Sequence, residues 1–513
     1  MKKIFALLIS VSLAALLMVA VPAAAATLRI LYVNDFHGFA EPYKSVGSQE
    51  VLGGAAYLAY EVNKLRKEKP SLLLAAGDMI QGNSWANLSK GKSSIALMNL
   101  MHFDAMVVGN HEFDFGQKVL TKRIAQARFP VLAANVEGFK DGLKPWVIKK
   151  IKGVKVGIIG VVTPDTPEST HPRNVAGLKF LPPAVAVQKY LPLLKKKTDL
   201  VIVLSHIGYQ ADRRLAAQVP GINVIVGGHS HTKLIQPAVV GHTIIVQAWE
   251  HAKALGVLDL TLKDGKIEKF SGHLEMIKPV PGRKDQAVAR LVKKYENRVN
   301  QVLGQKIGVA EVDLDGEHVR QRETNLGDFL ADIFRKTAGA DAAIINGGGI
   351  RTSIPKGEIT FKEVYAVLPF NNYLVAIKLT GKQIKEALEH GVSGVEEGAG
   401  RFPQVSGISF TYSRQAPPGS RVKEIRIGGA PLDPKKEYVV ATNDFMAAGG
   451  DGYQAFGEAL KSSRDYANIG GALKGEKLVY NDAGRWLRTI VIDYIREHKK
   501  IAPKVDGRIK ETD

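Results

Sequence analysis

Seven side chains in the first half of the sequence are of types that ligate metal ions, and they fall in short glycine-containing clusters. Asp35 and His37 lie in Asn34-Asp35-Phe36-His37-Gly38, and Asp78 follows Gly77. Asn110 lies in Gly109-Asn110-His111-Glu112-Phe113-Asp114. His206 follows Ser205, and His229 and His231 lie in Gly227-Gly228-His229-Ser230-His231. Imidazole, carboxylate and amide oxygen suit zinc, manganese or iron, and do not make a soft thiolate site. The physical reason for so large a set is two ions. Held about 3.5–4 Å apart, they share a carboxylate, activate a water and neutralise the oxygens of an in-line displacement. Taken singly, each residue has an ordinary explanation, since an Asp after a strand is more often a helix cap. His102, His171, His242 and His251 are read in that ordinary way, as hydrogen-bonded structure. Seven candidates in ordered loops are not explained one by one.

The elements that must position them read as short apolar strands at 28–33, 71–76, 105–108, 154–161, 200–204, 224–226 and 243–247. Amphipathic helical stretches lie between several of them, such as 54–67 and 93–101. Alternation of this kind predicts an α/β fold. Every candidate ligand sits where a strand gives way to a loop, and open α/β sheets build their sites at the carboxyl ends of strands. After Pro279 and Pro281-Gly282 a helix with Val288, Leu291, Val292, Tyr295 and Val299 on helical spacing spans 285–303. It reads as a connector. A second α/β region follows. It has a capped helix at 324–338, a strand and glycine turn at 342–349, a strand and helix at 373–390, and a terminal helix at 483–498. The polar residues 499–513 are expected to fray.

Length and composition narrow the class. The 513 residues are 45% hydrophobic and 23% charged, which fits two to four globular domains rather than a rod or a disordered chain. There is no cysteine, which excludes disulfides, thiolate zinc sites, iron–sulfur clusters and a cysteine nucleophile. The net charge is +20, but the lysines are scattered. The densest groups, Lys195 to Lys197 and Lys152 with Lys155, have no interleaved aromatic residues, so specific nucleic-acid binding is not expected. Residues 1–26 read as a secretory leader. Lys2 and Lys3 precede an apolar run, and Ala24-Ala25-Ala26 offers a small-residue cleavage site. The expectation is a mature chain that is exported, periplasmic or extracellular, with no stable membrane insertion. The sequence carries no sign of an oligomeric state.

The motifs Asp-x-His, Gly-Asp, Gly-Asn-His-Glu-x-x-Asp, a strand-end His and Gly-His-x-His together resemble the calcineurin-like metallophosphoesterase signature, across most of 28–260. The resemblance implies a four-layer αββα sandwich holding two metals. Carried over by motif, Asp35, His37, Asp78 and His231 would bind one ion. Asp78, Asn110, His206 and His229 would bind the other, with Asp78 as the bridge. The ions would be two divalent metals drawn from manganese, zinc, iron or cobalt. His111 and Asp114 would form a catalytic dyad. Their three-residue spacing suits one helical turn, and the carboxylate would orient the imidazole.

The second half carries Arg320-x-Arg322-Glu323-Thr324-Asn325-Leu326-Gly327, Asn346-Gly347-Gly348-Gly349-Ile350-Arg351 and Leu368-Pro369-Phe370. It also carries Asn443-Asp444-Phe445-Met446-Ala447-Ala448-Gly449-Gly450-Asp451-Gly452. These motifs resemble the C-terminal α/β substrate-binding domain of secreted 5'-nucleotidases, so the resemblance covers nearly the whole mature chain. It implies that Arg320, Asn346, Arg351, Phe370, Asn372, Phe445 and Asp451 contact a nucleotide. The chemistry agrees. Phe370 and Phe445 would sandwich a base, Asp451 would accept from ribose hydroxyls, and Arg320 and Arg351 would grip phosphate with planar forks. Gly316 stands where some bacterial members have a further phosphate-facing arginine, and His231 where some have Gln. The first difference bears on longer phosphate chains and the second on metal preference.

The implied layout is a leader at 1–26, a dimetal phosphoesterase domain at 27–280, a linker helix at 281–305 and a nucleotide-binding domain at 306–513. The implied activity is hydrolysis of nucleoside 5'-monophosphates to nucleoside and phosphate, with UDP-sugars and 2',3'-cyclic nucleotides as further substrates. An exported thiosulfohydrolase of similar fold is a competitor, against which the paired phenylalanines and Gly-Gly-Asp argue. A binding protein with a decayed site is another, against which the complete ligand set argues.

Overall fold

In the first strand, Ala26–Val33, alternate side chains serve two different cores. Leu28, Ile30 and Tyr32 point to one side, and Leu31 and Val33 to the other. The Ser71–Ala75 strand repeats this, with Leu72 and Leu74 on the first side and Leu73 and Ala75 on the second. Strands apolar on both faces must be covered on both faces. The computed structural model, which describes residues 26–45, 48–140, 142–263, 265–469 and 472–512, shows how.

Two six-stranded sheets lie face to face. The first runs in the order Lys266–Met276, Ala254–Lys263, Ala26–Val33, Ser71–Ala75, Ala105–Val107, Val131–Leu132. The second runs Ala238–Val240, Thr243–Gln247, Val224–Gly227, Leu200–His206, Val154–Val162, Trp146–Ile151. Ile202, Leu204, Val224 and Val226 of the second sheet meet Leu28, Ile30 and Leu72 of the first between them. Helix Ala55–Glu68 covers the outer face of the first sheet with Leu58, Ala59 and Val62. Helices Pro183–Lys195 and Tyr209–Gln218 cover the second with Leu191, Leu194 and Leu215. Each large aliphatic side chain buried this way contributes about 1.5–3 kcal/mol. The four layers are the expected αββα sandwich. The central strands of both sheets are parallel, so their carboxyl ends share an edge.

Helix Gln286–Leu303 follows, with the Asp285 side chain accepting from the Val288 N–H as its N-cap. Val288 and Val292 are anchored in the first domain's core, and the Trp85 indole donates to the Val292 carbonyl at 3.3 Å. The C-terminal domain has a five-stranded sheet in the order Pro403–Ser406, Ala342–Asn346, Glu437–Asn443, Tyr373–Thr380, Leu478–Trp486. Helix Asn325–Ala338 packs on one side with Leu326, Leu330, Ile333 and Phe334, and helix Gly381–Val392 on the other with Ile384 and Leu388.

Two expectations are corrected. The terminal helix starts at Leu487, because residues 483–486 finish a strand that pairs Trp486 with Tyr373. The tail is not frayed among the described residues. Lys500–Ile501 adds to a small sheet beside Lys306–Ala310, and Ile509–Glu511 pairs with Ile408–Tyr412. The buried Glu323 carboxylate accepts from the N–H groups of Asp506, Gly507 and Ile509, which gives the tail backbone its partners. The leader expected at 1–26 lies outside the described residues except for Ala26. No described helix is long and apolar enough to cross a membrane.

Candidate active site

The strand ends deliver the seven candidate ligands to one place. Asp35 and His37 come from the loop after Ala26–Val33, Asp78 after Ser71–Ala75, and Asn110 after Ala105–Val107. His206 closes its own strand, and His229 and His231 follow Val224–Gly227. The ligand atoms form two groups, Asp35 with His37 and His231, and Asp78 with His206 and His229. In the first, Asp35 Oδ1 is 3.2 Å from His231 Nε2, and His37 Nε2 is 3.3 Å from His231 Nε2. In the second, Asp78 Oδ2 is 3.1 Å from His206 Nε2, and His229 Nδ1 is 3.0 Å from Asn110 Oδ1. Asp78 Oδ2 also lies 3.7 Å from His37 Nε2, so it stands between the groups.

These residues fit a pair of metal ions. Asp35 Oδ1 and His206 Nε2 are buried and have no hydrogen-bond partner, one orphan in each group. Buried polar atoms left this way are costly unless something else satisfies them. The rings are already oriented for ligation. His37 Nδ1 bonds the Gln81 carbonyl at 2.8 Å and His206 Nδ1 the Ala76 carbonyl at 2.6 Å, which leaves each Nε2 facing its group. Asp35, His37, Asp78, His229 and His231 all have left-handed backbone, with φ between 47° and 78°. Strain of this kind gathers at functional sites. Gly109 is needed for close approach, because a Cβ there would run into Asp78 Oδ1 and lie 2.7 Å from His206 Nε2.

The electrostatics are those of a site that expects cations. Burial opposes ionisation of Asp78, but His206, His111 and His37 outweigh it and hold the carboxyl well below its usual range. Burial also opposes protonation of His206, yet Asp78 and Asp35 carry it up to about 10. Burial and the neighbouring His206 push His229 down to about 3.

His111 and Asp114 meet as the spacing predicts, in a short turn with Nδ1 2.7 Å from Oδ2. Asp114 is itself held. Its Oδ1 accepts from Thr170 Oγ1 at 2.5 Å and its carbonyl from Asn174 Nδ2 at 2.8 Å. The His111 N–H donates to Asp78 Oδ1 at 3.0 Å, which ties the His111–Asp114 pair to the carboxylate lying between the two groups.

A cleft of about 950 Å3 separates the domains. Asp78, Asn110, His111, Asp114, His229 and His231 line one side, while Asp35, His37 and His206 sit deeper. Arg320, Asn346, Arg351, Phe370, Asn372, Phe445 and Asp451 all line the other. Arg351 reaches across, with Nη2 3.1 Å from His37 Nε2. Its guanidinium lies 5.9 Å from the centre of the Phe370 ring, which stacks on His111 at 5.7 Å and 28°. Asn346 Nδ2 donates to Asp451 Oδ2 at 2.5 Å, and Phe445 packs over Gly450. A Cβ on Gly316 would meet the Thr352 carbonyl, so this backbone leaves no room for a side chain there.

Several residues of the site were given no role from the sequence. Glu112 stands in the quoted motif, and its role appears only in the fold. Its carboxylate accepts from the N–H groups of Asp78 (2.9 Å), Met79 (2.7 Å), Ile80 (3.2 Å) and Gly109 (2.5 Å), lacing two ligand loops together. Burial and the nearby Asp78 push its carboxyl up to about 7. Arg488 holds the Phe370 loop through the Phe370 carbonyl (2.6 Å) and Asn371 Oδ1 (2.5 Å). Glu250 bonds His231. His251, read as structural, is hydrogen-bonded to Tyr43 at 2.6 Å but also walls the first group, 5.8 Å from the His37 and His231 rings. His171 reaches across the cleft, its Nε2 3.7 Å from Asp444 Oδ2.

Comparison with known proteins agrees with this geometry. Residues 28–233 match the calcineurin-like phosphoesterase family, and residues 306–458 match the 5'-nucleotidase C-terminal domain. The chain is 33% identical to the snake venom 5'-nucleotidase of Crotalus adamanteus over 94% of its own length and 88% of that protein. It is 34% identical to the trifunctional nucleotide phosphoesterase protein YfkN of Bacillus subtilis, over 94% of its own length and 35% of that longer protein. Among solved structures, a 5'-nucleotidase precursor from Thermus thermophilus superposes with a TM-score of 0.85 at 36% identity. That match covers 95% of this chain and 99% of that one.

Proposed function

The chain belongs to the 5'-nucleotidase family of phosphoester hydrolases, and from that premise we propose that it hydrolyses nucleoside 5'-monophosphates to nucleoside and phosphate. The observation that supports this reading is a cleft in which seven C-terminal residues of types suited to base, ribose and phosphate line the same space as the candidate metal ligands of the N-terminal domain.

Asp35, His37, Asp78 and His231 would hold one ion, and Asp78, Asn110, His206 and His229 would hold the other. Two divalent ions, of manganese, zinc, iron or cobalt, supply Lewis acidity and a nucleophilic water at neutral pH. Phe370 and Phe445 hold the base between them, Asn372 lies on the base side, and Asp451, steadied by Asn346, accepts from the ribose hydroxyls. Arg320 and Arg351 bind the phosphate with forked hydrogen bonds. Water oxygen bonds to phosphorus as the bond from phosphorus to the nucleoside O5' breaks, and O5' leaves with a proton. His111, oriented by Asp114, stabilises the charge that builds on the phosphoryl or leaving oxygen.

Neither domain holds all these parts, so the units at 27–280 and 306–513 close on one another, with the helix region 281–305 between them as the pivot. The leader at 1–26 directs export. Its basic start and its small-residue end support that, and a venom 5'-nucleotidase among the relatives accords with it. UDP-sugars and 2',3'-cyclic nucleotides are further substrates of the same cleft.

A substrate panel tests this. Phosphate release from AMP is expected to exceed release from a simple aryl phosphate, with UDP-glucose and 2',3'-cyclic AMP also turned over. Equal rates on AMP and the aryl phosphate would remove the nucleotide specificity.

A further inference from the structure

The segment after the Thr243–Gln247 strand is bent into an unusual backbone. Trp249 (φ 68°), His251 (φ 52°) and Ala252 (φ 56°) are all left-handed and none is glycine. Such conformations persist only where the surroundings over-determine them. Here the surroundings are the ligand loops. The Trp249 N–H donates to the Thr232 carbonyl at 3.2 Å, and the Trp249 carbonyl accepts from Asn34 Nδ2 at 2.5 Å. The His251 N–H donates to the Asp35 carbonyl at 2.8 Å.

The side chain this segment presents is Glu250. Its Oε2 accepts from His231 Nδ1 at 2.5 Å, and its Oε1 accepts from Lys253 Nζ at 2.7 Å. Lys253 is only 3% exposed. Its ammonium is packed between aromatic faces, 4.8 Å from the Trp249 ring centre and 5.0 Å from that of Tyr43. Each carboxylate oxygen of Glu250 therefore has one hydrogen-bond partner, with His251 Nδ1 a further 3.7 Å from Oε1. With Nδ1–H committed to Glu250, His231 turns its Nε2 lone pair toward Asp35 Oδ1 and His37 Nε2.

We propose that Glu250 is the positioning residue of the first metal group, fixing the ring and tautomer of His231, and that buried Lys253 in turn fixes Glu250. The inference rests on the dimetal reading above. A carboxylate on the far nitrogen of a ligating imidazole sets the ring's orientation and makes it a stronger donor. His231, Glu250 and His251 also lie close enough to suggest a third ion of their own. The Lys253 ammonium already occupies the cationic position beside Glu250, so the carboxylate serves the histidine instead.

The test is cobalt(II) titration of the metal-stripped full chain, followed by absorbance. Wild type is expected to take up two ions. Glu250→Ala is expected to weaken one of them by about 10–100-fold and leave the other unchanged. Glu250→Gln, which keeps an acceptor for Nδ1–H in the same shape, is expected to weaken it less. In a His231→Gln background, Glu250→Ala is expected to cost no further affinity, an outcome that a general loss of structure would not give. Unchanged affinity in both Glu250 variants overturns the proposal, as does a full additional loss in the His231→Gln background. Wild type that binds fewer than two ions contradicts the dimetal reading itself, a separate and recognisable result.

Discussion

Arg351 of the C-terminal domain and His37 of the N-terminal domain lie 3.1 Å apart, Nη2 to Nε2. The guanidinium N–H donates toward the His37 ring nitrogen, so the C-terminal domain touches the first ligand group directly. The guanidinium proposed to grip phosphate thus stands beside a candidate metal ligand of the opposite domain. Arg351→Met is expected to lower kcat/KM for AMP by roughly 10–100-fold, the loss of a charged hydrogen bond of about 1.5–3 kcal/mol. Metal content of the purified variant is expected to stay at two ions, as plasma emission would show. Loss of metal with the arginine would place its role in the metal site instead.

Phe370, proposed to stack on the base, itself stacks on His111. Phe370→Ala is expected to raise KM for AMP by roughly 5–100-fold, the worth of one base–aromatic stack at about 1–3 kcal/mol. An aryl phosphate without a base is expected to lose much less. Equal losses on both substrates would show that the ring serves the dyad and not the base.

Thr170 donates at 2.5 Å to Asp114, the carboxylate proposed to orient His111. Thr170→Val removes that donor while keeping the shape. A fall in kcat of about tenfold with KM unchanged is expected, since a net hydrogen bond is worth about 0.5–1.5 kcal/mol. Asp114→Asn is expected to cost more, on the order of 10^2–10^3, as loss of a positioned charge-stabilising group does. Steady-state kinetics on AMP would check both, and an effect on KM alone in Thr170→Val would contradict the arrangement.

Metal uptake is expected to depend on pH with a definite sign. Burial opposes the proton on His206, but Asp78 and Asp35 hold it there up to about pH 10, so at neutral pH an incoming ion must displace it. His229, at about 3, is already neutral and releases nothing. Apparent affinity is therefore expected to rise from roughly pH 6.5 to 8.5, about tenfold per pH unit for one released proton. Calorimetric titration in buffers of different ionisation heat would count the proton. An affinity flat across that range would contradict the protonated His206.

Domain closure can be locked without interference, because the chain has no cysteine of its own. His171 and Asp444 face each other across the cleft at 3.7 Å. In His171→Cys with Asp444→Cys, bridging by a short bifunctional thiol reagent is expected to suppress turnover while leaving two ions bound. A cleavable bridge is expected to restore it. Full turnover in the bridged protein would rule out opening as part of the cycle.

Much of the site could be read from the sequence because parallel strands end on one edge. Asp35, Asp78, Asn110 and His206 needed only the strand pattern to be brought together. The division of Ala26–Val33 and Ser71–Ala75 between two cores, by contrast, shows only in the fold, since both strands read simply as apolar. What stayed hidden depends on chain packing with no local signature. Glu250 is 19 residues from His231, and Thr170 is 56 from Asp114. His251 looks like any structural histidine until the left-handed turn at Trp249 carries it to the metal wall. Residues 483–486 read as the start of the terminal helix, because their partner strand, Tyr373–Thr380, lies about a hundred residues away. The tail strands at Lys500–Ile501 and Ile509–Glu511 escape a local reading for the same reason, their partners being the buried Glu323 and distant edges.

The most direct measurement is phosphate release from AMP by the full chain supplied with manganese, beside Asp78→Asn. Asp78 stands between both metal groups, 3.7 Å from His37 and 3.1 Å from His206. Metal-dependent release in the wild type, abolished by chelator and lost in Asp78→Asn, is the result predicted. Release that survives the substitution or the chelator, or no release from a protein with two ions bound, would contradict a dimetal nucleotidase.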